Sequence, residues 1–347
     1  WSIRRRDRAL TLLKEDPFAV RHLQGQEVLL ALILTLTPNP AIAVSASVEH
    51  LQPDRKLRCG PGSRDPGGGG VNVARVVHRL GAETLAVFPS GGFVGQLLER
   101  LVQAEGVNTL AVPVQDETRE NFTVLDETTC EQFRFVLPGP HLSSAEWMRC
   151  LKALASIERK PDFVCASGSL PPGAPDDFYA RVAQIVESWG VRLALDTSGP
   201  ALKTALRERI HLIKPNLAEL RELVDAALDD ESSLIGACRS LIAAGRTEIV
   251  ALTLGADGAL LVTASEAWRA DPVQIAAVST VGAGDSFLGA MVWALARGLP
   301  LEDAFRQGSA AGAAALLAHG TELCRAGDVT RLLARVSVQR IAETAVA

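Results

Sequence analysis

Hydrophobic and polar residues follow two rhythms along the chain. From about residue 28 onward, short runs rich in Val, Ile and Leu are followed by longer stretches with helical periodicity. The short runs predict strands at 28–36, 84–88, 162–166, 191–195, 210–213 and 248–254. The longer stretches predict helices at 71–80, 94–104, 175–188, 216–225, 232–244, 283–297 and 301–317. Hydrophobic strands that alternate with helices indicate a doubly wound α/β fold, in which helices flank a mostly parallel sheet.

Two segments break this rhythm. Residues 43–59 carry short alternating runs and no convincing helix, and residues 119–136 indicate a hairpin with its turn near Asp126–Thr129. Pairing Phe122 with Phe133 sets Asn121 opposite Arg134, so that one face is apolar and the other is polar and cationic. Such a flap suits a small β lid over an anionic ligand, and an ordinary solvated hairpin has the same pattern.

The domain boundaries follow from the same patterns. Residues 1–28 are charged and contain no clear strand, so we expect an N-terminal extension of unknown role. Residues 29–347 are predicted to form one α/β domain, with lid segments at about 43–60 and 118–137.

Composition excludes several classes of protein. The net charge of −5 argues against a nucleic-acid-binding protein, which normally has a basic surface. Six cysteines show no CxxC and no short metal-ligand spacing, which favours reduced thiols in a cytoplasmic protein. The apolar run at 28–36 is far too short to cross a bilayer, so we expect no membrane partner.

The most specific motif is Thr280-Val-Gly-Ala-Gly-Asp-Ser-Phe287, which opens a predicted helix. Small residues at 282–284 allow the backbone to approach a ligand closely, and the first amides of the helix can bind an anion. A carboxylate beside phosphates requires a chemical task, which favours a catalytic role for Asp285. A favourable first-turn acid in a Gly-rich helix start is the structural alternative.

Two further motifs resemble ligand-binding segments. Four glycines run into a predicted helix at 67–70, where Asn72 can hydrogen-bond hydroxyl groups. Asn216 and Glu219 lie three residues apart at another helix start, where they can orient hydrated Mg²⁺ or simply cap the helix. The chain contains neither GxxxxGK[ST] nor GxGxxG, which disfavours the two commonest phosphate-binding loops.

Together, TVGAGDSF, PGGGGVNVAR, KPNLAEL and SGSLPPG resemble the ribokinase-like sugar kinases of the phosphofructokinase B type, over about residues 29–337. KLRC at 56–59 and GTELC at 320–324 are similar to the 6-phosphofructokinase branch. The resemblance implies a doubly wound kinase domain with a β lid that also forms a homodimer clasp. It further implies Mg-ATP as cosubstrate and a sugar phosphate as acceptor.

The resemblance also assigns roles to residues. Asp285 is implied as the catalytic base, with an anion hole formed by Gly282, Ala283 and Gly284. Sugar-phosphate contacts are implied for Gly68, Gly69, Asn72, Arg119, Asn121, Arg134 and Ser169. Nucleotide contacts are implied for Lys56 (in relatives from the partner subunit), Lys214, Asn216, Glu219, Thr253, Gly255, Gly258 and Ser309, with Asn216 and Glu219 reaching Mg²⁺ through water. A K⁺ site is implied for Ser279, Val281, Ala318 and Gly320.

One position departs from the family pattern. Asn39-Pro-Ala-Ile42 is followed in relatives by an aspartate that binds sugar hydroxyls, and this chain has Ala43 there. The expected reaction is ATP-dependent phosphorylation of fructose 6-phosphate to fructose 1,6-bisphosphate. Tagatose-6-phosphate kinase and 1-phosphofructokinase activities remain alternatives, as does a non-catalytic protein that binds sugar phosphate or nucleotide.

Overall fold

The main feature of the fold is a large, mostly parallel sheet. The computed structural model describes residues 31–318 and 320–342, and within them ten strands form this sheet in the order β14-β13-β12-β11-β10-β9-β8-β1-β4-β5. Seven of these strands run parallel, and β12, β13 and β14 extend the sheet antiparallel. The strands are β1 Leu32–Leu36, β4 Glu83–Ser90, β5 Asn108–Pro113, β8 Phe163–Ser167, β9 Arg192–Asp196, β10 Ile210–Ile213, β11 Thr247–Thr253, β12 Ala259–Val262, β13 Ala267–Ala270 and β14 Val338–Arg340.

Helices cover both faces of this sheet because its strands are apolar on both sides. Ile33 of β1 packs into a core beneath the helices at 69–79, 283–296 and 301–315, and its neighbour Leu34 packs into a second core beneath the helices at 144–155, 178–188 and 231–243. The helices are α1 Gly69–Arg79, α2 Gly92–Ala104, α3 Ser144–Ala155, α4 Phe178–Ser188, α5 Gly199–Ala205, α6 Leu217–Val224, α7 Glu231–Ala243, α8 Ala283–Ala296, α9 Leu301–Ala315 and α10 Ala326–Leu333. The predicted α/β class, with a mostly parallel sheet flanked by helices, is confirmed.

Each predicted strand and helix is present in the described residues, and each predicted helix has its ends within three residues of the prediction. The first predicted strand begins at 28, and its part before residue 31 lies outside the described residues, as does the expected extension 1–28. Within residues 31–318 and 320–342, no helix is both long and apolar enough to span a bilayer. The elements that the patterns did not predict are β3 (Ser63–Gly67), β5, β12, β13, β14, α3, α5 and α10.

The two segments that break the helical rhythm contribute to a second sheet, called here the small sheet. Its order is β3-β2-β6-β7, from β2 Ala41–Val48, β3 Ser63–Gly67, β6 Arg119–Asp126 and β7 Gln132–Phe135. β2 pairs with β6 in parallel, and the other two pairings are antiparallel. The small sheet therefore extends beyond the predicted segment 43–60, because β3 reaches the glycine run.

The predicted register of the β6–β7 hairpin is wrong by two residues. Phe122 pairs with Phe135, and Arg134 lies opposite Thr123 instead of Asn121. The cause is a longer turn: the carboxylate of Asp126 accepts the N–H groups of residues 128 and 129, so that four residues separate the paired positions 126 and 131. A slip of two residues keeps every side chain on its face, so the predicted apolar and polar faces remain.

Candidate active site

Helix α8 begins with the Gly-rich segment that ends at Asp285. Gly282, the N-cap, has a φ of 74° in the left-handed region that favours glycine. A Cβ at this position would lie 2.5 Å from Cδ2 of Leu323. The first-turn N–H groups of Ala283 and Gly284 precede the first hydrogen-bonded turn, so they can donate to an anion. The predicted anion hole and the carboxylate therefore share one helix turn.

Asn72 in the first turn of α1 contacts Asp285 directly. Nδ2 of Asn72 donates a hydrogen bond of 2.8 Å to Oδ2 of Asp285, across 213 positions of sequence. The two helices can approach closely because Gly289 of α8 has no side chain: a Cβ there would lie 2.9 Å from Cγ1 of Val76 in α1. Two motifs that the sequence predicts separately thus meet at one pair of side chains.

The environment of Asp285 makes its carboxyl group a weaker acid than usual. Loss of hydration, followed by the negative charge of Asp196, raises the pKa of Asp285 to about 6. The hydrogen bond from Asn72 and the positive charges of Lys214 and Arg134 oppose this rise. A carboxylate with a pKa near 6 is a stronger base than an ordinary aspartate, and it is still mostly ionised at pH 7.

Lys214, just after β10, holds a positive charge beside the anion hole. Its side chain is 6% exposed, and Nζ lies 3.2 Å from Oδ1 of Asp196. A Cβ at Gly284 would lie 3.4 Å from this Nζ. Burial alone would lower the pKa of Lys214, but the carboxylates of Asp196, Glu219 and Asp285 outweigh it and raise this pKa above its usual value. Lys214 is therefore a permanent cation where an anionic ligand would meet α8.

Asp196 is a site residue that the motifs do not predict. It is the last residue of β9, and its side chain is 15% exposed beside Lys214. In the sequence it is one acid after an apolar run, without a recognisable motif around it. Because the carboxyl ends of parallel strands gather at one edge, an acid at the end of a predicted strand is the signal that could have found it.

Asn216 and Glu219 form a capping box at the start of α6. The N–H of Glu219 donates to Oδ1 of Asn216 at 2.9 Å, and the N–H of Asn216 donates to Oε2 of Glu219 at 2.8 Å. Burial raises the pKa of Glu219, and the capping hydrogen bond opposes this only in part. These residues thus cap α6, which is the structural alternative to binding Mg²⁺. The other carboxylate oxygen of Glu219, Oε1, takes no part in the capping box.

The donor set near α6 fits a hydrated Mg²⁺ better than a resident metal ion. Among residues 31–318 and 320–342, no three His, Cys, Asp or Glu side chains come together as a metal cage. Mg²⁺ usually keeps several waters and binds through one or two carboxylates together with substrate phosphates. Glu219, with one carboxylate oxygen outside the capping box, and Asp196 offer such carboxylates.

Four further residues predicted to contact nucleotide, Thr253, Gly255, Gly258 and Ser309, lie beside α6 or on α9. Thr253 ends β11, and its N–H donates to the carbonyl of Pro215 at 3.0 Å, which joins β11 to the segment before α6. Gly255 begins a short 3₁₀ turn, and Gly258 follows this turn with a φ of 87°. Ser309 lies in α9, and its buried Oγ has no hydrogen-bond partner among the described residues.

A cleft lies against the small sheet on the side of Asn72. Its volume is about 510 Å³, including the solvent space at its mouth. The predicted sugar-binding residues in its lining are Gly68, Asn72, Asn121 and Arg134, and Ala43, Val281 and Thr321 also line it. Gly69 follows Gly68 and packs so closely on the Ser167 side chain that no Cβ would fit, and Ser169 is exposed in the next loop.

Arg119 and Asn121 stabilise the end of the small sheet through hydrogen bonds to backbone groups. Nη1 of Arg119 donates to the carbonyl of Leu137 at 2.6 Å, and Nη2 donates to the carbonyl of Asn39 at 2.8 Å. Oδ1 of Asn121 accepts the N–H of Leu137 at 3.1 Å. Nε of Arg119 is buried without a partner among the described residues. Both side chains therefore brace the small sheet, and the Asn121 amide nitrogen remains available to a ligand in the cleft.

Ala43 has an acidic neighbour on the adjacent strand. It pairs with Asp65 of β3 on one side and with Asn121 of β6 on the other, so these residues share a face of the small sheet. Oδ2 of Asp65 accepts a hydrogen bond of 2.7 Å from the hydroxyl of Thr321, which lines the cleft. The methyl group of Ala43 therefore lies between an acid and an amide on this face of the small sheet.

The four residues of the predicted K⁺ site lie near the start of α8. Oγ of Ser279 donates to the carbonyl of Gly320 at 2.9 Å and accepts the N–H of Val281 at 3.2 Å. Ser279 and Ala318 are buried. The contacts bring three of the four residues together, with backbone carbonyl oxygens of the kind that bind alkali cations.

The small sheet also exposes apolar side chains. Phe122, Phe135, Val136 and Leu137 are between 39% and 62% exposed. Lys56 lies in the exposed loop between β2 and β3, and it makes no ion pair with the residues that the structure describes. Phe122 and Phe135 pair across β6 and β7, and Val136 and Leu137 follow β7 directly, so these exposed apolar side chains indicate an interaction surface.

Comparison with known proteins identifies the family. The model of the pfkB family carbohydrate kinases matches residues 36–326. The ATP-dependent 6-phosphofructokinase isozyme 2 of Mycobacterium tuberculosis is 46% identical over 299 residues, which cover 86% of this chain and 88% of that protein. Crystal structures of phosphofructokinase-2 from Escherichia coli superpose with a TM-score of 0.84 in complex with potassium (37% identity) and 0.83 in complex with fructose-6-phosphate (36% identity); each covers 88% of this chain and 99% of the other. The chain belongs to the pfkB family of carbohydrate kinases.

Proposed function

We propose that the protein transfers the γ-phosphoryl group of ATP to the 1-hydroxyl of fructose 6-phosphate. The observation that carries this proposal is the placement of Asp285: a carboxylate of raised pKa lies in the first turn of α8, is hydrogen-bonded by Asn72, and is flanked by the buried cation Lys214. A base next to an anion-binding helix start is the arrangement that phosphoryl transfer to an alcohol requires.

Asp285 accepts the proton of the attacking hydroxyl. With a pKa of about 6, roughly nine-tenths of the Asp285 carboxyl groups are ionised at pH 7. The transition state of phosphoryl transfer is usually loose, so positioning and neutralisation of charge contribute more than the base. The amides of Gly282, Ala283 and Gly284 and the ammonium of Lys214 supply that neutralisation, each donor contributing about 10²–10³ in rate by analogy with oxyanion holes.

Mg-ATP is the proposed cosubstrate. Asn216 and Glu219 would hold the hydrated Mg²⁺, and the ion would offset the negative charge of the nucleotide phosphates. The nucleotide lies along the loop at 253–258 and against Ser309, whose buried hydroxyl lacks a partner. K⁺ is proposed as a second cation, held near the start of α8 by the carbonyl groups of residues 279, 281, 318 and 320.

The sugar phosphate is proposed to occupy the cleft against the small sheet. Arg134 is exposed, makes no ion pair with the described residues and lines the cleft, so it can bind the 6-phosphate in bidentate fashion. Asn72, Asn121 and the backbone at Gly68 and Gly69 face the sugar hydroxyls. Ala43 cannot supply the carboxylate that the family pattern places beside the sugar hydroxyls. Tagatose 6-phosphate and fructose 1-phosphate are therefore the alternative acceptors.

The small sheet is proposed as both lid and homodimer clasp. Its exposed apolar side chains require a cover, and a second copy of the small sheet supplies apolar side chains of the same kind. In such a dimer, Lys56 of one protomer is free to reach the nucleotide phosphates of its partner. Sedimentation of the purified protein at micromolar concentration tests the dimer, and a monomer at that concentration contradicts it.

A coupled assay of ADP release tests the proposed reaction. Fructose 6-phosphate, tagatose 6-phosphate and fructose 1-phosphate are compared by kcat/KM under identical Mg-ATP and KCl concentrations. We expect the highest value for fructose 6-phosphate and its loss in the Asp285→Asn variant. A higher value for another sugar reassigns the substrate, and the absence of ADP release with all three favours a binding protein without catalysis.

A further inference from the structure

Arg75 is a buried cation one helical turn from Asn72. Its side chain is 1% exposed, and Nη1 donates to the carbonyl of Pro66 at 2.7 Å. The same Nη1 lies 3.4 Å from Oδ1 of Asn72 in hydrogen-bonding geometry. Arg75 therefore connects the end of β3 in the small sheet with the side chain that contacts Asp285.

This contact determines which way the Asn72 amide faces. A guanidinium group only donates hydrogen bonds, so the oxygen of Asn72 must face Arg75. Its NH₂ group then faces Asp285, as the 2.8 Å hydrogen bond shows. The reversed amide would place an oxygen against the carboxylate and an NH₂ group against the guanidinium. Both contacts would then be repulsive.

Glu105 at the end of α2 holds Arg75 in place. Oε1 of Glu105 accepts Nε of Arg75 at 2.8 Å and lies 2.6 Å from its Nη2. Oε2 of Glu105 accepts Nη2 of Arg79 at 2.9 Å. Burial alone would raise the pKa of Glu105, but the two arginines outweigh it and hold this pKa below its usual value. Arg75 is thus bound by a carboxylate that stays ionised.

We propose that Arg75, held by Glu105, is a positioning residue that orients the Asn72 amide so that it donates to Asp285. The proposal rests on the proposed function, in which Asp285 is the base. Arg75 does not line the cleft, and its hydrogen bonds in the described residues go to Glu105, Pro66 and Asn72, so it reaches Asp285 only through Asn72. It also makes the orientation of Asn72 depend on β3, because the same guanidinium nitrogen binds the carbonyl of Pro66.

The pKa of Asp285 also depends on the charged and titratable groups around it. Asp196 from the end of β9 opposes its ionisation, and Lys214 after β10 and Arg134 of β7 favour it. Cys165 of β8 is buried nearby as a neutral thiol, since burial raises its pKa well above the usual value. None of these groups contacts Arg75 in the described structure, so a change at Arg75 reaches Asp285 through Asn72.

The test compares Arg75→Lys with Arg79→Lys. Each variant removes one arginine from Glu105 and keeps the positive charge, but only Arg75 contacts Asn72. We expect Arg75→Lys to lower kcat about tenfold, the scale of one hydrogen bond to a charged group, with KM for ATP unchanged. Arg79→Lys should change kcat less than twofold.

A double-mutant cycle separates positioning from general destabilisation. In an Asn72→Ala background, the side chain that links Arg75 to Asp285 is absent. Adding Arg75→Lys should therefore lower kcat by less than a further factor of two. Thermal unfolding of all four proteins shows whether they are folded at the assay temperature. Multiplicative losses in the cycle, or equal losses of kcat in Arg75→Lys and Arg79→Lys, would overturn the proposal.

A second measurement does not require turnover. The carboxyl carbon of Asp285 is titrated by ¹³C NMR, with Asp285→Asn used to assign its signal. We expect Arg75→Lys to move the midpoint upward by about half a unit to one unit, because the amide no longer holds the ionised form. Arg79→Lys should leave the titration midpoint of Asp285 unchanged. An unmoved midpoint in Arg75→Lys refutes the positioning role, and absence of turnover in the unaltered protein refutes only the proposed function.

Discussion

Replacing Asp285 by asparagine should abolish turnover and stabilise the fold. The amide is close in size to the carboxyl group and can still accept the hydrogen bond from Asn72, so the packing of α1 against α8 is kept. Loss of the base should lower kcat by about 10²–10⁴. Removal of a partly buried charge should raise the free energy of unfolding. Turnover falls and stability rises because the same carboxylate serves as the base and, when ionised, destabilises the fold.

The size of the stability gain follows from that pKa. The rise from 3.8 to about 6 corresponds to about 3 kcal/mol, and partial solvent access of Asp285 reduces the expected gain to about 1–3 kcal/mol. Since the native state binds this proton more tightly than the unfolded chain, the ionised carboxyl group destabilises the fold. That cost is absent below pH 3.8, grows between 3.8 and 6, and is complete above 6.

The assay is urea unfolding of both proteins at pH 8 and at pH 5. The gain in Asp285→Asn should be complete at pH 8 and fall to about half at pH 5. Asp176→Asn, at an exposed aspartate before α4, is the matched control and should change stability by less than about 0.5 kcal/mol. A variant that is no more stable at pH 8 would refute the raised pKa. Retention of more than a tenth of kcat would refute Asp285 as the base.

Three further predictions concern the cleft and the base. By ¹³C NMR, Asp285 should titrate at about 6 in the free protein; a midpoint near the reference value of about 3.9 for an aspartate side chain would contradict the electrostatic account. Arg134→Ala should raise KM for fructose 6-phosphate roughly 10–150-fold with little change for ATP, and an unchanged KM would place Arg134 outside the site. Ala43→Asp should raise kcat/KM for fructose 6-phosphate about tenfold or more, with a loss of stability because it faces Asp65. Ala43→Asp combined with Asp65→Asn should keep the gain and recover the stability, and no rise in kcat/KM would mean that the cleft is built around Ala43.

Local patterns predict the scaffold well because each element carries its own signal. In β11, Ile249–Leu252 is a continuous buried apolar run, and α8 opens with the Gly-rich motif that also indicates an anion site. β12, β13 and β14 were not predicted, because strands of three or four residues are too short to show a period. The hairpin register was wrong because the turn at Asp126 is longer than its residue types alone indicate.

Individual site residues were predictable only where they belong to a motif. Asp285 and Asn72 lie in separate motifs, but nothing local indicates that their side chains meet. Asp196 has no motif around it, and it becomes a site residue only because β9 and β10 are neighbours and Lys214 follows β10. Arg75 and Glu105 look like ordinary charges of two helices in the sequence, and only the folded structure brings the two side chains into contact.

The glycine at position 289 makes the reaction centre depend on a residue that touches no substrate. One turn separates Gly289 from Asp285, and Val73 and Val76, which face it, share α1 with Asn72. The distance between α1 and α8 therefore sets the distance between the side chains of Asn72 and Asp285. A single methyl group added at 289 would force them apart by several tenths of an ångström, and a hydrogen bond of 2.8 Å has little tolerance for such a change. Selection on catalytic rate would then act at position 289 on volume alone, through a residue that itself neither binds nor reacts.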